Sequence, residues 1–215
     1  MGKGLTAIVA VLLLALYSPA AATDFTAVVT DQDGQPVVNA VVSLLADSSS
    51  ATPAPSSRLP AEKTIDQRNE TFIPLVTIIP KGGRISFANN DQTTHQVYSF
   101  SRVKQFEMTL NRGQTSSQVF DNTGVAALGC NIHDHMIAYV FVSESPWTAL
   151  TGDDGHALIQ GVPPGSYRAQ VWHPKFPPGR PLPNVTIALS GDTIRWEGTI
   201  KLLPARMARS HSGNY

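Results

Sequence analysis

The run Gly129-Cys130-Asn131-Ile132-His133-Asp134-His135-Met136 places a thiol, two imidazoles and a thioether in one short turn. Soft sulfur together with imidazole selects copper over the hard, oxygen-loving metals. A type 1 (blue) copper site needs one thiolate and two imidazoles in a trigonal plane, with a weak axial thioether. Cys130, His133 and Met136, spaced Cys-x2-His-x2-Met, supply three of the four. The candidate for the missing imidazole is His95, which closes Phe87-Ala88-Asn89-Asn90-Asp91-Gln92-Thr93-Thr94-His95. His135 is a possible alternative ligand to His133. Tetrahedral zinc is the chemical rival, but a single Cys with several His is less typical of closed zinc sites, and a thioether has no use there. Each donor alone says little, since a lone Cys is usually a small buried hydrophobe and a lone His a polar surface group. The combination carries the reading.

One loop can present three ligands rigidly only if strands anchor both its ends. Val125 to Leu128 before it and Ile137 to Val142 after it have the apolar, β-branched character of strands. His95 leads into Gln96 to Ser101, where Val97 is set apart from Tyr98 and Phe100 by alternation, and Arg84 to Ala88 alternates likewise. Further strands are expected at Phe72 to Ile79, Phe106 to Leu110 and Ser116 to Phe120. Upstream, Phe25 to Thr30 and Val37 to Leu45 flank the turn-forming Asp31-Gln32-Asp33-Gly34-Gln35-Pro36, which reads as a hairpin. Downstream, Ala157 to Ile159, Tyr167 to Trp172, Val185 to Leu189 and Thr193 to Ile200 complete a second all-β unit. No window has a helical period, so the fold class is all-β, with short strands packed as sandwiches or a small barrel.

Composition sets the surroundings. Leu5 to Leu16 is apolar and Ala20-Ala21-Ala22 offers a cleavage site, so residues 1–22 read as a secretory signal and the protein as periplasmic or secreted. No later segment is long and apolar enough to span a membrane. Residues 47–63, rich in Ser, Ala, Thr and Pro at their start, read as a linker, and 204–215 as a frayed tail. Sixteen basic and 16 acidic residues balance, which argues against a nucleic-acid partner. The single Cys cannot form an internal disulfide, so in an oxidising compartment it is either buried or held by something. There is no nucleophile elbow and no phosphate loop, and four protein ligands leave a copper ion no open position for a substrate, so no enzyme is expected. His173 reads as structural, while His156 and His211 carry no signal. Asn69-Glu70-Thr71 and Asn184-Val185-Thr186 match a short glycosylation pattern that arises often by chance.

Two resemblances add to this. The loop from Cys130 to Met136 has the ligand spacing of amicyanin, a cupredoxin, and Phe87-Ala88-Asn89-Asn90 before His95 is similar to the segment before the first ligand in plastocyanins. Together with Ala138 to Val142, the likeness covers roughly residues 65 to 143, and the chain as a whole resembles bacterial methylamine-utilisation proteins related to cupredoxins. Asp31 to Val42 and Asp154-Gly155 with Gly161 to Tyr167 resemble the carboxypeptidase-regulatory-like family, a small immunoglobulin-like sandwich. These imply a cupredoxin-like Greek-key sandwich (64–145) combined with a discontinuous immunoglobulin-like sandwich (23–46 and 146–203). The resemblance implies one type 1 copper ion on His95, Cys130, His133 and Met136, used for one-electron transfer; beside it, Asn90 is a candidate to support the ligands, and Asp134 reads either as solvated or as an acceptor behind an imidazole. With that chemistry, the expected partner is a redox protein, a cytochrome or a dehydrogenase, and the exposed loop offers Ile132 and His133 as its docking residues. Gln96 and Thr94 replace the Asn and Pro that flank the first ligand in plastocyanins, and Gly129 stands where they carry an aromatic residue. Two other readings remain: a protein that buffers or delivers copper, and a metal-free interaction module of the cell envelope.

Overall fold

The computed structural model describes residues 22–47, 58–177 and 182–203. The expected signal segment up to residue 21, the linker between residues 48 and 57, and the tail from residue 204 lie outside the described residues. Every regular element among the described residues is a strand, and no helix among them is long and apolar enough to cross a membrane.

The chain opens with β1 (Thr23–Asp31) and β2 (Val41–Ala46). Nine strands follow: β3 (Glu62–Gln67), β4 (Phe72–Ile73), β5 (Val76–Pro80), β6 (Gly83–Asn89), β7 (His95–Ser101), β8 (Lys104–Leu110), β9 (Thr115–Phe120), β10 (Gly124–Cys130) and β11 (Ile137–Ser143). The chain closes with β12 (Thr148–Leu150), β13 (His156–Val162), β14 (Gly165–Trp172), β15 (Asn184–Leu189) and β16 (Ile194–Ile200).

Strands β3 to β11 form two sheets, one of five strands ordered β5-β11-β10-β7-β8 and one of four ordered β4-β3-β6-β9. Their inward side chains build one core, with Ile65, Phe72, Ile85, Phe87, Phe120 and Leu128 buried beside Cys130 and Met136. Each large apolar side chain so buried contributes about 1.5–3 kcal/mol. The outer strands β1, β2 and β12 to β16 form two further sheets, β13-β1-β16 and β12-β2-β14-β15, around Phe25, Leu44, Trp147, Tyr167 and Leu189.

Three expectations change. The opening hairpin does not form as a strand pair: β1 pairs with β13 and β16, while β2 pairs with β12 and β14 in the other sheet. The turn itself is present, with Asp31 Oδ1 accepting from the backbone of Asp33 and Gln35 at 2.9 Å. Beyond it, Asn39 at φ 62° and Ala40, whose N–H donates to Thr151 Oγ1, carry the chain across to the facing sheet. The single strand expected from Phe72 to Ile79 is two strands, because Pro74 has no N–H to give the ladder. The linker ends early: β3 begins at Glu62 and runs parallel to β6.

The alternation of these strands aims the metal-binding side chains. In β10 the inward set is Ala126, Leu128 and Cys130, and in β7 it is His95, Val97 and Ser99. Cys130 pairs with Val97 across the two strands, so His95 and Cys130 meet at the same pole of the sandwich, where both ladders end.

Candidate metal centre

His95, Cys130 and His133 come together at that pole, each offering one ligand atom, and the three atoms lie within 4.8 Å of one another. Cys130 is a free, buried thiol. Its Sγ lies 3.8 Å from His95 Nδ1. On the far side of the His95 ring, Nε2 lies 3.1 Å from Asp91 Oδ2; in the neutral ring, a proton donated to that carboxylate leaves Nδ1 as a lone pair toward the sulfur. The Glu70 backbone N–H, donating to the Asp91 carboxylate at 2.6 Å, is the main cause that holds this acid below the ordinary carboxylate value, so it stays an acceptor for the imidazole. An acceptor behind a ligating imidazole fixes its tautomer and orientation.

His133 packs edge-on against His95, with ring centroids 5.2 Å apart. Its Nε2 lies 3.4 Å from Glu70 Oε1, whereas its Nδ1 is buried without any hydrogen-bond partner. Buried polar atoms are almost always paired, so an orphaned imidazole nitrogen beside a thiol and a second bare imidazole fits a metal ion as its partner. His95, Cys130 and His133 are close enough to form a type 1 copper site.

Met136, expected as the axial donor, is buried in the same apolar cluster as Cys130, and its N–H donates to the His133 carbonyl at 3.0 Å to close the loop. His135 lies outside the group: its side chain is 64% exposed and its Nε2 sits 3.7 Å from Glu70 Oε2. Ile132 is exposed next to His133.

The two residues expected to support the ligands sit elsewhere. Asn90 donates to Asp66 Oδ1 at 2.7 Å, away from the imidazoles. Asp134 is exposed, and the imidazole acceptors are Asp91 and Glu70 instead. Neither of these acids was singled out by sequence reasoning for this role. Buried Asn89 does what was assigned to its neighbour: its amide donates to Thr93 O and Leu110 O, and its Oδ1 accepts from Asp91 N, which fixes the approach to His95. The two ligand loops are joined through Gln96, whose carbonyl accepts from Asn131 N at 3.2 Å and whose Oε1 accepts from Asn131 Nδ2 at 3.0 Å. At Gly129, a Cβ would meet Tyr98 Cζ at 2.6 Å, so the space beside the Cys is filled by an aromatic ring from β7. His173, on β14's far end, is structural: Nε2 donates to Val38 O, Nδ1 accepts from Lys175 N, and desolvation pushes its pKa below the ordinary imidazole value.

No family model and no curated protein matches the chain. Solved structures do align with parts of it. A purple cupredoxin from Nitrosopumilus maritimus is 25% identical over 37% of this chain and 98% of its own, with a TM-score of 0.35. A mutant amicyanin in its Cu(I) state is 17% identical over 49% of this chain and 99% of its own, with a TM-score of 0.35. A copper-containing nitrite reductase from Thermus scotoductus is 22% identical over 55% of this chain and 28% of its own, with a TM-score of 0.37.

Proposed function

We propose that this is an exported type 1 copper protein that carries single electrons between redox partners in the periplasm or outside the cell. The observation that carries the reading is the grouping of the Cys130 thiol with His95 and His133, with His95 Nδ1 facing the sulfur and His133 Nδ1 buried without a hydrogen-bond partner. Cys130 is the thiolate, His95 and His133 the equatorial imidazoles, and Met136 the axial thioether. When bound, copper supplies a one-electron couple to this site. The protein's part is to hold the donors still, so that little rearranges when the charge changes. Strand ends fix His95 and Cys130, Asp91 orients one imidazole, and the core around Leu128 and Met136 keeps water from the sulfur.

His133 reaches the surface beside exposed Ile132, so the electron leaves along that imidazole edge to a cytochrome or dehydrogenase seated there. With four protein ligands there is no open position for a substrate, and the reading is of a carrier rather than an enzyme. A second reading, copper buffering or delivery, draws on exposed His135 and Glu70 at the mouth.

An optical spectrum of the purified mature protein with one equivalent of Cu(II) tests both. A strong absorption in the red that Cys130→Ala abolishes is expected for the electron carrier. Stoichiometric copper without colour would instead establish the buffering protein, and no uptake would sink both.

A further inference from the structure

The turn that joins β3 to β4 is a two-residue hairpin turn. Arg68 and Thr71 exchange both backbone hydrogen bonds, and the two central residues, Asn69 and Glu70, have φ of 50° and 52°. Turns of this kind favour Gly at the second central position, because the turn holds that residue in the left-handed region, which a Cβ disfavours. This chain carries a glutamate. Non-glycine residues kept in that region cluster at sites where the side chain has work to do.

The glutamate's surroundings point to that work. Glu70 Oε1 lies 3.4 Å from His133 Nε2 and Oε2 lies 3.7 Å from His135 Nε2, and the two imidazole rings stand 5.9 Å apart. Two donors of one ion, each bonded at about 2.0–2.2 Å, sit about 3–4 Å apart, so this carboxylate and either imidazole are spaced to share a cation. All three groups reach solvent, with side-chain exposures of 46% for Glu70, 64% for His135 and 18% for His133. His133 belongs to both groups: it shares the inner one with His95 and Cys130, and its Nε2 faces Glu70 while its Nδ1 is buried without a hydrogen-bond partner. Of the inner donors, Cys130 and His95 are buried and only His133 reaches solvent, so an ion that arrives hydrated can meet the inner group only past His133. An exposed carboxylate and imidazole can take such an ion with its water still attached and release it inward as His133 turns.

We infer that Glu70 and His135 form an outer docking site for Cu(II), through which the ion is loaded onto the inner donors past His133. This rests on the copper reading of the inner site, and it gives His135 a part in uptake that differs from replacing His133.

Stopped-flow mixing of the metal-free protein with Cu(II) alone, following growth of the red thiolate absorption, tests it. In the wild type the rate should level off as Cu(II) is raised, because the ion first fills the outer site. The Glu70→Gln and His135→Gln double variant should lose that plateau and load roughly tenfold or more slowly, the scale on which a local charge raises the arrival rate of an ion. The final absorbance reports the inner site separately. Glu70→Gly removes the side chain while relieving the left-handed backbone, so it should raise the melting temperature and still slow loading, which a purely structural role for Glu70 would not do. Wild-type loading rates in both variants would overturn the outer site while leaving the inner one standing. A wild-type protein that never takes copper would overturn both.

Discussion

At the scale of single residues, the metal centre depends on groups that never touch the ion. Asn89 is the clearest: it is buried, makes two donor bonds and one acceptor bond, and holds together the segment from Asp91 to His95. Asn89→Ala removes all three and leaves the Thr93 and Leu110 carbonyls without this donor. At about 1 kcal/mol for each bond and more for a stranded buried group, a loss of about 3 kcal/mol is expected, measured by urea unfolding of the metal-free protein. A loss below about 1 kcal/mol would mean that water replaces the amide. The neighbouring Asn90→Ala should cost far less, since its one side-chain bond is exposed. The contrast also shows what the sequence displayed and what was overlooked in it. The three grouped donors, His95, Cys130 and His133, were legible as thiol and imidazole ligands in one pattern. The supporting residue was legible too: the alternation that turns Ile85 and Phe87 inward, continued by two positions, lands on Asn89 and passes over Asn90. Glu70 was not legible, because its role depends on a hairpin turn being folded onto the pole from β3 and β4; Asp91 reaches His95 from four residues away, but along an irregular loop whose path no periodic pattern records.

At the scale of elements, the site is the meeting of two loops whose strands are neighbours but whose tips have to be tied. Gln96, on β7, and Asn131, just past β10, make that tie with a backbone and a side-chain hydrogen bond. Gln96 also donates to Glu107 on β8, so the tie is braced by a third strand. The Gln96 amide is long enough to make the side-chain half of the tie from the position after His95. Asn131→Ala keeps the strand pairing and removes one neutral hydrogen bond, worth about 1 kcal/mol. If the tie holds His133 in place for the ion, copper loss to a chelator should speed up by roughly fivefold, the kinetic equivalent of that energy, with little change in unfolding. An unchanged release rate with reduced stability would show that the bond only braces the apo fold. The strands themselves were well marked by alternation. Their partners were not: the turn at Asp31 to Pro36 is real, yet β1 and β2 separate beyond it, because hairpin chemistry fixes a reversal of direction and tertiary packing decides which sheet each strand joins.

At the scale of the molecule, the two pairs of sheets are joined through an apolar contact. Val41, Leu150 and Trp172 from the sheet β12-β2-β14-β15 pack with Val76, Ile78, Tyr139 and Phe141 from the sheet β5-β11-β10-β7-β8. The Trp172 ring lies 5.6 Å from Tyr139 and 5.8 Å from Phe141. Hydroxyls continue the junction, with Ser143 on β11 bonded to Thr148 and Thr148 to Ser43 on β2. β2 and β5 are consequently buried on both faces, which explains why Val41-Val42-Ser43-Leu44 and Val76-Thr77-Ile78-Ile79 are continuous runs without inward and outward alternation. β11 carries the consequence for the metal centre: its inner face packs the core around Met136 while its outer face carries Tyr139 and Phe141 into the junction, and it leads directly out of the ligand loop. The two units should therefore unfold together in the native protein. Trp172→Ala removes the aromatic that bridges both tyrosine and phenylalanine, and for a partly buried ring the expected loss is about 2–3 kcal/mol. If the junction is what couples the units, calorimetry should then resolve one transition into two, and a bound metal ion should raise only the transition of the unit that contains Cys130. A single transition that merely moves to lower temperature, and that metal still raises as a whole, would show that the two chain crossings suffice to couple the units and that Trp172 only adds stability.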